Sequence, residues 1–267
     1  MNWTNIDNKM TPWRKKVKDL QTQLGIGNSE DCFSCEHFPK CKESVDSNAD
    51  IRQGDWTYVG RQYGKALING NKARILFVSM ERPWGGDEED RWQNFEDTQK
   101  DFREGAYTRS NPHMGGVDAE LAYLLDKTTS PADRCQQFAL TNAVRCRRSS
   151  NKKYKGTLVM EQKCESHTKE IIQVLKPDII IAQGRGNPCK SMRSLFSFDI
   201  VKEYRSVEIG KDKDGRIFLL TPHPASYTYP DKYKGKDIPS FGWNWNDLPT
   251  DSLEKAFKQA REIYLEN

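Results

Sequence analysis

The sequence predicts an α/β fold, a three-layer α/β/α sandwich built around a mostly parallel four-stranded sheet. Two observations carry this prediction. Short, nearly continuous apolar runs are typical of buried parallel strands, and helical stretches alternate with them. The runs are Arg74–Ser79, Phe138–Asn142, Ile179–Ala182 and Ile217–Thr221. In sheets of this kind ligands bind at the carboxyl ends of the strands, so we expect the functional residues to follow these runs.

The helical stretches were identified from apolar residues at helical spacing and from breaking residues such as Pro177. They are Val117–Lys127, Glu161–Leu175, Pro188–Phe196 and the terminal Ser252–Leu265. We expect a single domain over residues 1–267. An N-terminal cysteine-bearing segment over 1–56 would pack on it, with an insertion over 87–109 and a C-terminal extension over 227–267.

Composition restricts the classes of protein that this chain can belong to. In 267 residues, 36% are hydrophobic and 30% charged, which is enough apolar material for a packed core. The net charge of +4 is compatible with nucleic-acid binding but does not establish it. No apolar run approaches the ~20 residues of a membrane helix, and the first ten residues contain no apolar signal core. We therefore expect a cytoplasmic monomer without a membrane partner.

The cysteine content points to a metal site. Seven cysteines, an odd number, argue against a disulfide framework in a reducing compartment. Two form a C-x-x-C pair and two more come from the second strand end and the following helix; these four are Cys32, Cys35, Cys146 and Cys164. Four thiolates can hold zinc or a 4Fe–4S cluster. Cys41 is a competitor for Cys32 or Cys35, whereas Cys135 and Cys189 are expected to be buried packing residues.

Three motifs follow the predicted strands in order. The first strand ends in Met80-Glu-Arg-Pro-Trp-Gly85, the second in Leu140-Thr-Asn-Ala-Val-Arg-Cys-Arg147, and the fourth in Thr221-Pro-His-Pro-Ala-Ser226. Together with the four cysteines, they resemble the iron–sulfur uracil-DNA glycosylases of families 4 and 5. The motifs of that family read Gly-Glu-Xaa-Pro-Gly, Thr-Asn-Xaa-Val-Lys-Cys-Arg, and His-Pro-Ala or His-Pro-Ser. The resemblance covers roughly residues 32–226.

The resemblance implies a fold like that of uracil-DNA glycosylase, a 4Fe–4S cluster bound by Cys32, Cys35, Cys146 and Cys164, and a set of catalytic roles. Glu81 would stabilise positive charge on the sugar or activate water, and His223 would donate to the departing base. Asn142 matches the residue that reads the pyrimidine edge, and Pro83 lies in the base-binding first motif. Considered one at a time, each has an ordinary structural interpretation: a strand-end glutamate is usually solvated, a His-Pro pair is usually a turn, and an asparagine often only holds a loop.

DNA contacts are expected from two regions. Ser226 and Tyr227 match the family loop that meets the minor groove, where an aromatic side chain can fill the gap left by a flipped base. A basic cluster surrounds Cys146 and includes Arg145, Arg147 and Arg148. Such a cluster contacts phosphates without reading sequence, although a solvated loop is the simpler alternative.

The base pocket departs from the family pattern. Met80 and Trp84 replace the two glycines of the first motif, and about twenty additional residues over 87–109 would rim the pocket. His113, in Pro-His-Met-Gly-Gly, takes the position of a phenylalanine that stacks on uracil, and it can also form hydrogen bonds. These changes favour a modified pyrimidine, such as a hydroxymethylated or glucosylated cytosine of phage DNA, over plain uracil.

Three alternatives remain open on the sequence. An ordinary uracil-DNA glycosylase of base-excision repair would carry the same motifs. A metal-stabilised nucleic-acid-binding protein without catalytic activity would keep the fold, but the presence of both Glu81 and His223 argues against it. A zinc protein that binds nucleotide phosphates at the turn Gly184–Gly186 is disfavoured because its glycine fingerprint is incomplete and follows the third strand.

Overall fold

The fold was analysed in a computed structural model of the chain. It describes residues 10–25, 35–45, 50–52, 56–80, 95, 112–126, 130–149, 157–184, 186–204, 206–224, 237–238, 243–244 and 250–266. Glu81, Pro83, Cys32, Ser226 and Tyr227, five of the predicted site residues, lie outside these ranges.

The described residues form an α/β fold around a mixed sheet of seven strands. In chain order its strands are β2 (Tyr58–Val59), β5 (Ile75–Ser79), β6 (Phe138–Asn142), β8 (Ile179–Gln183), β9 (Asp199–Glu203), β10 (Glu208–Lys211) and β11 (Ile217–Thr221). Their spatial order is β2-β6-β5-β8-β11-β10-β9. The inner four are mutually parallel, and they are the four runs that the sequence predicts. The sheet is larger than predicted because antiparallel strands extend both sides.

Three short two-stranded ribbons accompany the central sheet. Their strands are β1 (Asp50–Arg52) with β7 (Arg147–Ser149), β3 (Ala66–Ile68) with β4 (Asn71–Ala73), and β12 (Asp237–Ile238) with β13 (Trp243–Asn244). All three pairs are antiparallel. The first of them matters for the site, because it joins the N-terminal part of the chain to the strand that follows Cys146.

Helices cover both faces of the sheet. In chain order they are α1 (Pro12–Gln23), α2 (Phe38–Glu43), α3 (Pro112–Leu124), α4 (Pro131–Arg134), α5 (Leu158–Leu175), α6 (Asn187–Leu195) and α7 (Thr250–Leu265). One apolar layer joins α3 and α7 to one face of the inner strands. A second layer joins α1, α5 and α6 to the other face. Every residue of the inner four strands is buried, which explains why their sequences are nearly continuous in apolar character.

Helix starts differ from the sequence prediction because capping residues decide them. Helix α5 begins at Leu158 rather than at Glu161, since the Thr157 side chain accepts a hydrogen bond from the Met160 amide at 3.2 Å. Helix α3 begins five residues before the predicted Val117, at Pro112, which suits the first turn of a helix because it has no amide hydrogen. This earlier start places His113 on a helix that covers the sheet.

The antiparallel strands β9 and β10 were not predicted. Strand β9 is exposed along its whole length and therefore has no apolar signature. Strand β10 contains Gly210, where a Cβ atom would come within 2.3 Å of the Phe198 ring, and its register shifts between Ile209 and Gly210. A glycine inside a strand weakens the sequence signal for a strand, yet here it permits close packing.

The N-terminal part of the chain packs against the sheet. The Arg14 guanidinium of α1 donates to the Val59 carbonyl at 2.8 Å, and the Thr57 amide donates to the Gln21 side chain at 2.9 Å. Phe95, which lies in the insertion predicted to rim the pocket, is instead packed edge-on against Trp56 in the layer that contains α1. Among the described residues, no helix is long and apolar enough to cross a membrane.

Candidate functional site

Each of the four parallel strands ends in a polar residue, and these last residues are paired with one another across the sheet. Ser79 of β5 lies beside Asn142 of β6 on one side and beside Gln183 of β8 on the other, and Gln183 in turn lies beside Thr221 of β11. All four residues are buried, with Asn142 the most exposed at 8%. The apolar strands thus end in one row of hydrogen-bonding groups at the edge where α/β proteins bind ligands.

Helix α3 adds a histidine to this row. His113 Nε2 lies 3.2 Å from the Ser79 hydroxyl and 3.0 Å from Gln183 Oε1, and Ser79 donates to that same Gln183 oxygen at 2.7 Å. The Gln183 amide then donates to a carboxylate oxygen of Glu120 at 2.7 Å. Ser79, His113, Gln183 and Glu120 are hereafter called the strand-end network.

Sequence reasoning did not predict three members of the strand-end network, although the sequence contains patterns that could have identified them. Ser79 and Gln183 are polar residues that end otherwise apolar strands, which is the pattern that drew attention to Asn142. Glu120 follows His113 by seven residues, two helical turns, so that both side chains lie on the same face of α3. A buried glutamate is rare unless it is paired, and this one accepts from Gln183.

His223 lies beside His113. The two ring centroids are 5.3 Å apart, with the ring planes tilted by 36°. Burial, together with the neighbouring His113, lowers the pKa of His223 to about 3, and burial also lowers the pKa of His113. Both imidazoles are therefore neutral near pH 7, where each can donate one hydrogen bond and accept another. The structure brings these two predicted residues together, although the sequence separates them by more than a hundred positions.

Asn142 closes the other side of the row. The amide of the following residue, Ala143, donates to the Ser79 carbonyl at 2.8 Å, which extends the parallel pairing by one step. Glu81 comes two residues after Ser79, at the carboxyl end of the central strand β5, but its own position lies outside the described residues. Of the predicted catalytic and base-binding residues, Asn142, His113 and His223 are described, and all three lie at this edge of the sheet.

Met80, which replaces a glycine of the family motif, packs against Gly184 at the end of β8. A Cβ atom on Gly184 would come within 3.0 Å of the Met80 sulfur, and Gly184 has a φ of +121° that favours glycine. The Gly184 amide donates to the Thr221 carbonyl at 2.9 Å. This amide is therefore used within the sheet, which weakens the interpretation of the Gly184–Gly186 turn as a phosphate site.

A second cluster, on the α2 and α5 side of the molecule, contains cysteines. Cys41, Cys146 and Cys164 lie in one buried apolar cluster with Val144 and Met160. Cys35 lies near enough that its charge would affect the pKa of the other three thiols. Cys35, Cys41, Cys146 and Cys164 are hereafter called the thiol cluster.

The structure also shows where the cysteines outside the predicted ligand set lie. Cys135 and Cys189 are confirmed as packing residues, because both are buried in the two layers that flank the sheet. Cys41, a competitor in the sequence analysis, lies with Cys146 and Cys164. Within the described ranges no group of three or more His, Cys, Asp or Glu residues meets the geometry of a bound metal ion.

Polar groups around the thiol cluster are unusual. The Arg145 side chain is 2% exposed, and its Nη1 donates to the Thr57 hydroxyl at 3.2 Å. Its Nε and Nη2 atoms are buried and have no hydrogen-bond partner among the described residues. His167, buried beside His37 with ring centroids 5.6 Å apart, likewise has an unpartnered Nδ1 in this part of the structure. Buried polar groups normally have partners, so these groups require an explanation.

Burial also changes the acidity of the thiol cluster. It raises the pKa of Cys41 to about 11 and raises the pKa values of Cys35, Cys146 and Cys164. For Arg145, burial lowers the pKa to about 10, which the neighbouring cysteines oppose. The thiols are therefore protonated at neutral pH unless a cation is bound to them, because metal ligation requires the thiolate.

The basic residues near Cys146 divide into two groups. Arg145 points into the protein and does not reach a surface that a phosphate would contact. Arg147 and Arg148 lie on β7, which pairs with Arg52 and Ile51 of β1. The phosphate contact expected of Arg147 and Arg148 stays a prediction.

The fold and both clusters define an α/β protein with a polar strand-end site and a separate buried thiol cluster. No protein-family model matches the chain, and no curated protein matches it.

Proposed function

We propose that this protein is a DNA glycosylase with a fold like that of uracil-DNA glycosylase, which hydrolyses the N-glycosidic bond of a flipped-out base and leaves an abasic site. The observation that carries the proposal is the meeting of Asn142, His113 and His223 at the carboxyl edge of the parallel sheet, the edge to which Glu81 is also tied by sequence. The strand-end motifs that resemble the iron–sulfur uracil-DNA glycosylases supply the same four positions.

The chemistry requires opposite charges to be stabilised at two places. As the bond breaks, the base gains negative charge and the sugar becomes oxocarbenium-like. His223 is neutral at pH 7, so its single ring N–H can donate a hydrogen bond to an oxygen of the departing base. Glu81 would stabilise the cationic sugar or activate the attacking water. Asn142 has both a donor and an acceptor with which to read the edge of the base.

The preferred substrate in this proposal is a modified pyrimidine, such as hydroxymethylated or glucosylated cytosine, which would make the enzyme a defence against phage DNA. Support comes from His113, which replaces an apolar stacking side chain with one held by hydrogen bonds to Ser79 and Gln183. The enzyme can reach a base only when the nucleotide is flipped out of the base stack of the DNA. Ser226 and Tyr227 are the proposed contacts at the gap that the flipped nucleotide leaves in the duplex.

A 4Fe–4S cluster, or alternatively zinc, is proposed as a structural cofactor at the thiol cluster. The candidate ligands are Cys32, Cys35, Cys41, Cys146 and Cys164, of which four are needed. The residues fit such a group because two nitrogens of the buried Arg145 guanidinium have no partner among the described residues, and they lie where four thiolates would bring negative charge. Bound there, the group would hold α2, α5 and the loop after β6 together.

The test is excision on matched DNAs that contain uracil, hydroxymethylcytosine, glucosylated hydroxymethylcytosine or only normal bases, with abasic sites scored by alkali cleavage. We expect cutting of the modified-cytosine DNA. Glu81→Gln should reduce excision by about 10²–10⁴-fold and keep DNA binding. The same substitution at the exposed Glu203, on strand β9, is the matched control and should leave excision unchanged.

The outcomes separate the alternatives. Cutting of uracil DNA alone would identify a repair enzyme and contradict the proposed role of His113 in substrate choice. Binding of DNA without cutting of any base would favour the catalytically inactive, metal-stabilised binding protein. Equal loss of binding and cutting in Glu81→Gln would show that Glu81 has another role.

A further inference from the structure

The strand-end network has a direction, because each of its members has a defined set of donors and acceptors. Ser79, Gln183 and Glu120 are all fully buried. His113 is less buried as a residue than these three and lies beside His223, so it forms the end of the network opposite Glu120. The chain of hydrogen bonds that begins at a buried acidic side chain therefore ends beside a proposed catalytic residue.

Glu120 determines how the Gln183 amide is oriented. The Gln183 NH₂ group donates to a carboxylate oxygen of Glu120 at 2.7 Å, and a carboxylate that accepts here holds the NH₂ end of the amide on its own side. The Gln183 oxygen then faces Ser79 and His113. The reversed amide would place two oxygens against each other in a buried site, which is costly.

The orientation of Gln183 in turn determines the tautomer of His113. Gln183 Oε1 is an acceptor 3.0 Å from His113 Nε2, so this nitrogen must carry the proton. A neutral imidazole has one N–H, which leaves Nδ1 as an acceptor. Burial lowers the pKa of His113 and thus favours this neutral form.

We propose that Glu120, acting through Gln183, fixes His113 with its proton on Nε2, so that His113 presents an acceptor to the base pocket and selects bases that carry an amino or hydroxyl donor. The proposal rests on the proposed glycosylase function for its substrate, but the tautomer stands independently of it. Glu120 and Gln183 are positioning residues in this scheme, and His113 is the group that contacts the base.

The selection has a chemical basis. A uracil ring has one donor, N3–H, which lies between the carbonyl oxygens at positions 2 and 4, and an acceptor on the protein that faces either oxygen would repel it. A cytosine ring offers an exocyclic amine, and a hydroxymethyl group adds a hydroxyl donor. One hydrogen bond gained or lost corresponds to about a tenfold change in kcat/KM.

The first test needs no variant. In protein labelled with ¹⁵N-histidine, long-range ¹H–¹⁵N correlations distinguish Nε2–H from Nδ1–H imidazoles, and the chain has only four histidines to assign. His113→Asn identifies the signal of His113 by its loss. We expect the Nε2–H form at pH 7. An Nδ1–H form would overturn the inference even if the protein excises bases.

The second test asks whether Glu120 is responsible. Glu120→Gln replaces the carboxylate with a group that can donate or accept, so the His113 spectrum should become a mixture of tautomers. Glu120→Asp keeps a carboxylate and is the matched control, which should retain Nε2–H. An unchanged spectrum in Glu120→Gln would exclude the proposed role of Glu120.

The third test measures kcat/KM on DNAs with uracil, 5-hydroxymethyluracil, cytosine and 5-hydroxymethylcytosine. These bases separate the hydroxyl donor from the amino donor. We expect at least one donor to raise kcat/KM over uracil by about tenfold or more, and Glu120→Gln to remove most of that gain. Preference for uracil over all three would overturn the inference. No cutting of any substrate would instead count against the proposed function and leave the NMR result as the test of the tautomer.

Discussion

The strand-end network and the thiol cluster contrast in how their buried polar groups are satisfied. In the strand-end network each of the four side chains has a hydrogen-bond partner within the network, at distances of 2.7–3.2 Å. Around the thiol cluster two nitrogens of Arg145 and one of His167 are buried without a partner among the described residues. Within the part of the chain that the structure describes, the side chains of the first site satisfy one another, whereas the surroundings of the second retain polar atoms without a partner.

The difference indicates what each site needs in order to work. A network that is satisfied by its own chain is pre-organised, which is what a site for recognition or catalysis requires. A buried guanidinium among protonated thiols is costly, and its cost falls once the thiols become thiolates around a metal. We therefore expect the thiol cluster, but not the strand-end network, to depend on an added cofactor.

The largest expected effect comes from removing a thiol-cluster ligand. Cys164→Ala should abolish iron and sulfide content and lower the free energy of unfolding by several kcal/mol, because the free energy of metal binding is then lost from the folded state. Iron and sulfide analysis with thermal unfolding under anoxic conditions would measure both.

Cys135→Ala is the matched control for this prediction, since it removes a buried thiol from the opposite layer. It should keep full iron content and show only the modest loss expected of a small cavity. Equal iron content in both variants would contradict the assignment of Cys164. Parallel variants at Cys32, Cys35 and Cys41 would decide which of these three is not a ligand.

The next effect concerns acid and the strand-end site. The pKa of His223 falls from 6.5 in the unfolded chain to about 3 in the folded protein, so between these values only the unfolded chain binds the proton. Stability should therefore decrease as the pH falls below 6.5, by about 1.4 kcal/mol per pH unit for this residue, until about pH 3.

Denaturant unfolding as a function of pH would check this prediction, with His223→Gln as the comparison. The variant should show a shallower decrease below pH 6.5, and its curve should run parallel to that of the wild type above this value. Identical slopes below pH 6.5 would show that His223 is not held neutral in the folded protein.

A smaller effect, with a sign that depends on the cofactor, is expected at Arg145. Arg145→Met keeps an extended apolar side chain but removes a guanidinium that has two buried nitrogens without a partner among the described residues. It should stabilise the metal-free protein by about 1–3 kcal/mol, because a buried unsatisfied group is removed, and should weaken cofactor retention in the loaded protein. Chelator challenge and unfolding of both forms would measure this. Destabilisation of both forms would indicate that Arg145 stabilises the fold irrespective of the cofactor.

The smallest effect is expected on strand β7, which follows Cys146. Arg148→Gln on β7 should lower the slope of log K against log salt for DNA binding by about one, with no change in the single-turnover excision rate. This would separate the two regions by role, since binding would depend on β7 and chemistry on the strand ends. A changed excision rate with an unchanged salt slope would contradict that division.

The sequence by itself determined the elements that depend on local pattern. The apolar runs of β5, β6, β8 and β11 were predicted correctly within a residue, because strands buried on both faces must be apolar throughout. The placement of Asn142 and His223 at the ends of such strands followed from the same pattern. The grouping of Cys146 and Cys164 was also predicted, from their positions after the second strand and in the following helix, and both lie in one buried cluster.

Only the tertiary structure decided the rest, because it depends on contacts between residues that are distant in sequence. The exposed edge strand β9 has no apolar period, and the start of α3 at Pro112 cannot be recognised from apolar spacing. The roles of Glu120, Gln183 and Ser79 depend on hydrogen bonds between residues that are 34–104 positions apart in the chain. The burial of Arg145 could not be predicted for the same reason, because a run of basic residues in the sequence does not show which side chain is buried.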